Sequence, residues 1–568
     1  MEIRVVYPPA GATIAARDST FLFGSLGNGD ATLTINGAPV RVLPNGSWLA
    51  WLPLPPRERP QYEIVAVRGS DTVRTTHRIA YPATRPSLPE SGPLVVDSAS
   101  LSPRGSYSRL ANELVRVSIR APVNSSVEFR WSRDSLRPFA NASLLGTGGD
   151  ANLFATELPV SLLDSPGARV IVRRGSDSVS LGAPRVARAD SGGRHFAFVG
   201  TPIASSPTSG DSTRVIIGKP VAGGTYKWFL IPGTIAEVTG RSGEQARIRL
   251  DRALDVWVDG AEIRDLPLGF VPPVRVAGNA RVVARGEWSD LIIPMAERPA
   301  WSVDEGENAL DLTLYQTTAN TDIINYSTSD SIIRRVSWTQ EGEGRARYHI
   351  ALHQAPYGYL VRWERGAFVL RVRRPPHVNA DRPLAGLTIA IDAGHPPAGS
   401  TGPTGLYEGV ATLAIANRLK PMLESRGATV IMTRTTAGPV GLGDRQPIAI
   451  AANAHAFVSI HLNALPDGVN PFVTNGTGAY YFNPSSEPLA RQVQRGMVRT
   501  MGLRDLGVNY DNLAVLRPSW MPSILCEGAF VMFPEQEALL RMPEFQSAYA
   551  TGVAEGVEAY FRSLASVR

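Results

Sequence analysis

The sequence predicts several β modules in front of a C-terminal α/β domain. Its 568 residues exceed what one hydrophobic core normally serves, so three to five domains are expected. The 53 glycines and 45 prolines are spread along the chain and indicate many turns, which favours β structure. Between residues 385 and 568, strand patterns alternate with helix patterns. That alternation predicts a mostly parallel sheet flanked by helices.

The composition is that of a folded protein and argues against several classes of partner. Hydrophobic residues make up 43% and charged residues 19%, which excludes a mostly disordered chain. The net charge of +6 is modest and no dense basic run occurs, so nucleic acid is not an expected partner. The first residues, MEIRVVYPPAGATI, form neither a signal peptide nor a membrane span. The single cysteine excludes an intramolecular disulfide.

The first two modules are predicted from turn signals and short strands. Residues 1–85 carry Asn-Gly dipeptides at 28, 36 and 45, and their strands recur about every eight to twelve residues. This pattern predicts an immunoglobulin-like β-sandwich. Residues 95–190 show a second β pattern and are predicted to form another sandwich-like module. The phrase RGSD occurs in both modules, at 68–71 and 174–177, and points to two copies of one unit.

The C-terminal segment divides into regular elements. Apolar runs predict strands at 387–392, 429–433, 456–461, 478–483 and 523–527. Helical periodicity predicts helices at 408–425, 444–453, 486–501, 535–541 and 545–563. Because proline removes a hydrogen bond inside a helix, Pro421 predicts a kink or an early end of the first helix.

Four polar side chains stand at the ends of these elements. His395 follows the first strand, His461 and Glu527 end two later strands, and Glu408 opens the first helix. In an open α/β sheet the strand ends meet at the edge where ligands bind, so these side chains are expected to lie together. Taken singly, His395 can be a turn residue, Glu408 a carboxylate favoured by the helix dipole, and Glu527 an ion-pair partner.

The order of motifs in this segment is more specific than any single residue. The motifs are IDAGH, a glutamate before LAIANRL, TR at 433–434, DRQPIAIAAN, FVSIHLNA and PSILCEGAF. Over residues 385–566 the chain resembles the zinc-dependent N-acetylmuramoyl-L-alanine amidases of the type-3 family. The resemblance implies that His395, Glu408 and His461 hold Zn²⁺ and that Glu527 is the catalytic carboxylate. It also implies hydrolysis of the amide between N-acetylmuramic acid and L-alanine in peptidoglycan.

Two further modules are predicted by resemblance. Residues 194–270 resemble a small β-barrel of the bacterial Src-homology type, with Gly-bounded strands that end in a strand containing Trp257. Residues 275–376 resemble an AMIN domain, a β module that in known amidases binds peptidoglycan or directs the enzyme to it. The alternative for all four β modules is that they are spacers in front of the amidase-like domain at 385–568.

The chain departs from the family pattern after the first histidine and after the fourth strand. Pro396 and Pro397 replace a glycine pair that family members usually carry. Some members have a helical insertion that covers the zinc until an activator protein removes it. Here residues 480–486 lead directly into a helix, so an open site that requires no activator is expected.

Location and activity follow as expectations with alternatives. An enzyme of the cell wall acts in the periplasm or cell envelope, so the chain is expected to be exported and its leader is absent from this sequence. One alternative is a non-catalytic peptidoglycan-binding protein with a degenerate amidase fold. Another is a zinc peptidase or an amidohydrolase that acts on a different amide.

The remaining histidines and several nearby polar residues are expected to be structural. No ligand spacing links the histidines outside the amidase-like segment, which are His77, His195, His349, His353 and His377. His455 lies at a helix–strand junction, and Arg445 and Asn453 occupy the preceding helix. Cys526 belongs to an apolar strand and is predicted to be a buried thiol rather than a nucleophile.

Overall fold

The computed structural model describes residues 2–83, 85–141, 150–164, 166–200, 215–342 and 344–565. Up to residue 376 the described chain consists almost entirely of strands and turns, which confirms the predicted β-rich N-terminal region. None of the helices in the described ranges combines the length and the apolar character that a bilayer crossing needs.

The first module is a pair of antiparallel sheets. Its strands are β1 (Arg4–Tyr7), β2 (Ser19–Ser25), β3 (Thr32–Ile35), β4 (Ala38–Val40), β5 (Ser47–Pro53), β6 (Gln61–Arg68) and β7 (Asp71–Arg78). One sheet has the order β1-β2-β5 and the other β4-β3-β6-β7. Trp48 and Tyr62 are fully buried in the core to which both sheets contribute.

The second module also contains two four-stranded sheets. Its elements are β8 (Asp97–Ser102), β9 (Tyr107–Arg109), β10 (Leu114–Arg120), β11 (Ser126–Ser132), β12 (Ser135–Pro138), β13 (Ala140–Asn141), β14 (Leu153–Pro159), α1 (Val160–Leu163), β15 (Arg169–Arg174) and β16 (Asp177–Gly182). The sheet orders are β13-β14-β10-β8 and β12-β11-β15-β16. Residues 142–149 of this predicted module lie outside the described ranges.

The repeated RGSD phrase forms the same kind of turn in both modules. In each copy the arginine ends one strand and pairs with the aspartate that starts the next, as Arg68 with Asp71 and Arg174 with Asp177. Gly69 has φ +59° and Gly175 has φ +57°, as a two-residue hairpin turn with glycine first requires. The repetition therefore reflects a shared hairpin chemistry.

Two strands of the predicted third module join a sheet of the fourth module, so this sheet crosses the predicted border. The strands are β17 (Ala187–Arg188), β18 (Phe196–Val199), β19 (Ile216–Gly218), β20 (Trp228–Leu230), β21 (Thr234–Ser242), β22 (Gln245–Asp251), β23 (Leu254–Asp259), β24 (Ile263–Asp265), β25 (Arg275–Ala277), β26 (Ala280–Ala284), β27 (Trp288–Pro294), β28 (Ala300–Glu305), β29 (Ala309–Tyr315), β30 (Thr317–Ala319), β31 (Ile324–Tyr326), β32 (Ile333–Glu341), β33 (Arg345–Leu352), β34 (Gly358–Glu364) and β35 (Ala367–Arg373). Strands β19 and β20 extend the sheet β28-β29-β33-β32 of the fourth module, and β9 of the second module pairs with β21. Residues 201–214 of the predicted barrel lie outside the described ranges.

The C-terminal domain alternates strands and helices around one six-stranded sheet. Its elements are β36 (Thr388–Ala393), α2 (Glu408–Glu424), β37 (Thr429–Met432), α3 (Arg445–Ala451), β38 (Ala456–Asn463), β39 (Thr477–Tyr481), α4 (Glu487–Met501), β40 (Asp505–Tyr510), β41 (Ser523–Phe530), α5 (Pro534–Leu540) and α6 (Pro543–Ala565). The sheet order is β37-β36-β38-β41-β39-β40. All its pairings are parallel except that between β39 and β41.

Alternate residues of the central strands pack against different layers of this domain. Ile389 and Ile391 of β36 face the core that contains α2, α4 and α6. Ala390 faces a second core, formed with α3 and the segment 513–521. This alternation follows from the pleat, which points successive side chains to opposite faces.

Two details differ from the expectations for this domain. Helix α2 runs through Pro421 to Glu424, so of the two expected effects the early end does not occur, and the kink stays a prediction. Because Pro421 lies in the last turn, its missing N–H costs only one hydrogen bond near the terminus. Strand β40 was not expected, because its sequence DLGVNY is polar and only half-buried at the sheet edge.

Side chains of the fourth module donate hydrogen bonds to the backbone just before β38. The buried Arg373 donates hydrogen bonds to the carbonyls of Asn453 and Ala454, and Tyr357 donates to the carbonyl of His455. Nδ1 of His455 accepts the N–H of Thr388 at 2.9 Å. Burial, with the nearby charge of Arg373, lowers the pKa of His455 to about 4.

This histidine predicts a pH-dependent stability. An unfolded chain protonates His455 below about pH 6.5, whereas the folded chain resists protonation until about pH 4. The free energy of unfolding is therefore expected to fall as the pH is lowered through this window. Urea unfolding at pH 7 and at about pH 4.5 measures the loss. The variant His455→Gln keeps an acceptor that does not titrate and should lose less stability; equal losses in both proteins contradict the prediction.

Candidate metal centre

Three neighbouring elements deliver the side chains of the candidate metal centre. Strand β36 ends at Ala393 and is followed by Gly394 and His395, while the parallel neighbour β38 carries His461 near its end. Helix α2 begins at Glu408. The carboxyl ends of parallel strands lie at one edge of the sheet, and the helix start is brought to the same edge.

The three predicted ligand residues lie together around one carboxylate oxygen. Oε1 of Glu408 lies 3.4 Å from Nε2 of His395 and 3.3 Å from Nδ1 of His461. Their potential ligand atoms all lie within 4.8 Å of one another. Among the described residues, this is the one group of three or more histidine, cysteine or acidic side chains with such spacing.

The Glu408 carboxylate is held from several sides. Oε1 accepts the backbone N–H of Leu462 and Oε2 accepts that of Ser400, each at 3.0 Å. Burial alone would favour the neutral acid, but the two imidazoles outweigh it and lower the pKa of Glu408 to about 2. The same carboxylate raises the pKa of His395. The centre therefore carries a fixed negative charge between two imidazoles, which favours a cation.

The backbone before His395 leaves room only for glycine. A Cβ on Gly394 would lie 2.6 Å from the His461 ring and 2.7 Å from the carbonyl of Ile460. His395 itself has φ +53°, and its Nδ1 lies 3.0 Å from the carbonyl of Pro397. That contact directs Nε2 toward Glu408. Thus the Pro396–Pro397 segment, although it departs from the family pattern, supplies the carbonyl that holds the His395 ring.

A buried ion pair fixes the end of β36 below the centre. Asp392 has no exposed surface and accepts hydrogen bonds from Arg445 at 2.7 Å and from Ser459 at 2.6 Å. Arg445 also donates to the carbonyls of Ala393 and Pro396, both at 2.9 Å. Arg445 therefore holds the backbone before and after His395 by hydrogen bonds, which fits the structural role expected of Arg445.

Two further buried residues position the segment that leads into α2. Arg434 donates to the carbonyls of Gly394 and Gly409 at 3.1 and 2.8 Å. Glu537 on α5 accepts the N–H groups of Thr404 and Leu406. Glu537 was not predicted from the sequence, because its partners lie more than 130 residues away in the chain.

Glu527 lies beside the ligand group on β41. It pairs with His461 in the parallel ladder between β38 and β41. Its Oε2 is enclosed and has no hydrogen-bond partner among the described residues. Burial, followed by the charge of Glu408, raises the pKa of Glu527 well above its usual range. This carboxyl oxygen therefore lacks a protein donor, although it lies beside the ligand group.

The remaining candidates take structural positions. Cys526 is fully buried, and burial raises the pKa of its thiol, as expected for a core residue. Asn453 accepts a hydrogen bond from the indole of Trp520. None of the histidines outside the C-terminal domain joins a group of potential ligands within the described residues; they are His77, His195, His349, His353 and His377.

The fold and the site define a class: an α/β domain that gathers two imidazoles and two carboxylates at one sheet edge. The model of the family described as N-acetylmuramoyl-L-alanine amidase matches residues 389–559. The chain belongs to this family. The uncharacterized protein YqiI of Bacillus subtilis is 32% identical over 192 residues, which are 33% of this chain and 90% of YqiI.

Two other similar proteins have names that state an activity. The N-acetylmuramoyl-L-alanine amidase LytC of Bacillus subtilis is 33% identical over 186 residues, or 32% of this chain and 36% of LytC. The solved N-acetylmuramoyl-L-alanine amidase AmiC2 of Nostoc punctiforme is 34% identical and covers 31% of this chain and 98% of its own, with a TM-score of 0.29. The chain thus spans about a third of LytC, and the family match lies in the C-terminal domain.

Proposed function

We propose that this protein is a zinc-dependent N-acetylmuramoyl-L-alanine amidase that hydrolyses the bond between N-acetylmuramic acid and L-alanine in peptidoglycan. The observation that carries the proposal is the convergence of His395, Glu408 and His461 within 4.8 Å, with Glu527 on the adjacent strand. The chain's membership of an amidase family supports the same reaction.

The donor set suits zinc. His395, Glu408 and His461 would hold the ion, since two nitrogen ligands and one carboxylate are a set found in catalytic zinc sites. The hydrogen bonds that already fix Glu408 support the set from behind. When bound, zinc supplies Lewis acidity toward the scissile carbonyl and makes water more acidic.

Glu527 is proposed to move the proton. Its free Oε2 would accept a proton from the attacking water and then deliver it to the nitrogen of the leaving L-alanine. Each transfer needs hydrogen-bond reach between the carboxyl group and the reacting atom. The parallel pairing of Glu527 with His461 supports this assignment, because it keeps the carboxyl group beside the ligand residues.

The proposal also covers the fold class of two domains, the location of the protein and its need for an activator. We assign the C-terminal domain to the mostly parallel α/β class and the fourth module to the AMIN-like class. We expect the protein to work in the periplasm or cell envelope. No activator is expected, because only a short turn separates β39 from α4.

The proposed function is tested with the full chain and purified peptidoglycan, without any added protein. Mass analysis should find intact stem peptides with a free L-alanine amine, and turbidity should fall. Cleavage inside the stem peptide would instead indicate a zinc peptidase. Binding without any product would indicate a peptidoglycan-binding protein.

The ligand assignment predicts a loss of metal. His461→Ala should reduce the zinc content from about one ion per chain to well below one, because two side chains cannot complete the set. Elemental analysis after dialysis measures the content. His349→Ala is a matched control, since His349 also contacts a carboxylate, Asp311 at 2.8 Å, but has no third ligand. Full zinc content in His461→Ala would overturn the assignment.

A further inference from the structure

The first module packs against the C-terminal domain near the candidate metal centre. Tyr7 donates a hydrogen bond to Asp467 at 2.6 Å. Phe21 and Phe23 of β2 share a buried cluster with Phe530 and Met532, which follow Glu527 along the chain. Because the contact consists of buried aromatic and aliphatic side chains, it joins the two domains firmly.

A cavity of about 230 Å³ opens at this contact. The first module lines it with Arg41 and Trp51, and the C-terminal domain lines it with Phe472 and Glu535. Drug-sized ligands fill roughly 300–1,000 Å³, so the volume suits one unit of a longer molecule.

The cavity combines aromatic walls with free polar groups. Phe472 is 50% exposed, although it is held in place by an edge contact with Phe533. The indole N–H of Trp51 makes no hydrogen bond with the described residues. Arg41 donates a hydrogen bond to Oε1 of Glu535 at 2.9 Å. Oε2 of Glu535 and the other N–H groups of Arg41 remain available.

The charges in the cavity indicate a neutral polar ligand. Arg41 and Glu535 form an ion pair and cancel each other, so neither an anionic nor a cationic ligand is favoured. A sugar ring meets these features, because it has apolar faces for the aromatic walls and hydroxyl groups for the free donors and acceptors.

The chain connects this cavity to the candidate centre. The segment 464–476 leaves β38 just after His461, carries Asp467 and Phe472, and is bonded to α5 through Asn475 and Gln536 at 3.1 Å. Phe472 is nine residues beyond Asn463, so it lies at most about 30 Å away, and less where the chain turns. A polymer strand that extends from the centre is therefore long enough to reach this cavity.

We infer that this cavity, defined by Arg41, Trp51, Phe472 and Glu535, is a glycan subsite that binds a sugar of the peptidoglycan strand beyond the scissile unit. The inference rests on the proposed function, since it assumes that the substrate is a peptide-bearing glycan. The first module is then part of the substrate-binding surface and not a spacer. It would favour long glycan strands over short fragments.

The test compares long and short substrates with the zinc-loaded full chain. The variants are Trp51→Ala and Phe472→Ala, and Trp131→Ala, a partly buried tryptophan of the second module, is the matched control. Each of the first two should bind purified peptide-free glycan strands about tenfold more weakly. Each should also show a higher KM on polymeric peptidoglycan, with unchanged hydrolysis of a soluble disaccharide–peptide.

Each outcome decides a separate question. Equal loss on the short substrate would show that the variants disturb the centre, and unchanged binding of glycan strands would show that the cavity is not a subsite; either result overturns the inference. Because Phe472 lies on an exposed segment, its replacement tests the subsite even if Trp51→Ala unfolds. A wild type that binds glycan strands but releases no stem peptide from either substrate would instead contradict the proposed function.

Discussion

Replacing Glu527 by glutamine is expected to lower amide hydrolysis by about 10²- to 10⁴-fold while zinc remains bound. Glutamine keeps the shape of the side chain but cannot take a proton from water or return it to the leaving amine. Glu527 does not belong to the ligand group formed by His395, Glu408 and His461. The measurements are the initial rate of stem-peptide release and the zinc content per chain.

A matched comparison separates proton transfer from structural damage. Glu544→Gln changes an exposed carboxylate on α6, outside the ligand group, and should leave hydrolysis of a soluble disaccharide–peptide unchanged. If Glu527→Gln keeps near wild-type hydrolysis with full zinc content, Glu527 does not carry the proton. If it loses zinc together with activity, Glu527 is required for the metal site, and its role must be revised.

Replacing Arg445 by methionine is expected to reduce the free energy of unfolding by about 3–5 kcal/mol. Arg445 is 3% exposed and its partner Asp392 is 0% exposed, so the substitution leaves a buried carboxylate without its cation. The carbonyls of Ala393 and Pro396 also lose their donor. Denaturant unfolding of the C-terminal domain within the full chain measures the loss, and zinc affinity should fall because the His395 segment is released.

An exposed ion pair supplies the control for this prediction. Arg499 and Glu555 are bonded across α4 and α6, but their side chains are 64% and 37% exposed. Arg499→Met should therefore change the free energy of unfolding by less than about 1 kcal/mol. A similar small change in Arg445→Met would contradict the view that the buried pair holds the end of β36.

The helices of the C-terminal domain were predicted well from the sequence, whereas the pairings between modules were not. The helices of the C-terminal domain begin and end within two residues of the predicted positions, because helical periodicity is a local property of the sequence. Strand β40 was missed, since an edge strand lacks an apolar run. The early end considered at Pro421 does not occur, since a proline near a helix end costs little. The strands shared between the third and fourth modules have no local signal at all.

The sequence by itself determined the class of the protein and predicted four site residues, His395, Glu408, His461 and Glu527. Motif order along the chain singled them out, but the strands that carry His461 and Glu527 continue to Asn463 and Phe530, beyond the ends predicted from local periodicity. Only the tertiary structure decided what supports them. The clamp by Arg445, the anchoring by Glu537 and the docking of the first module join residues that are far apart in the chain. Such contacts cannot be predicted from local periodicity, because they depend on how the layers pack.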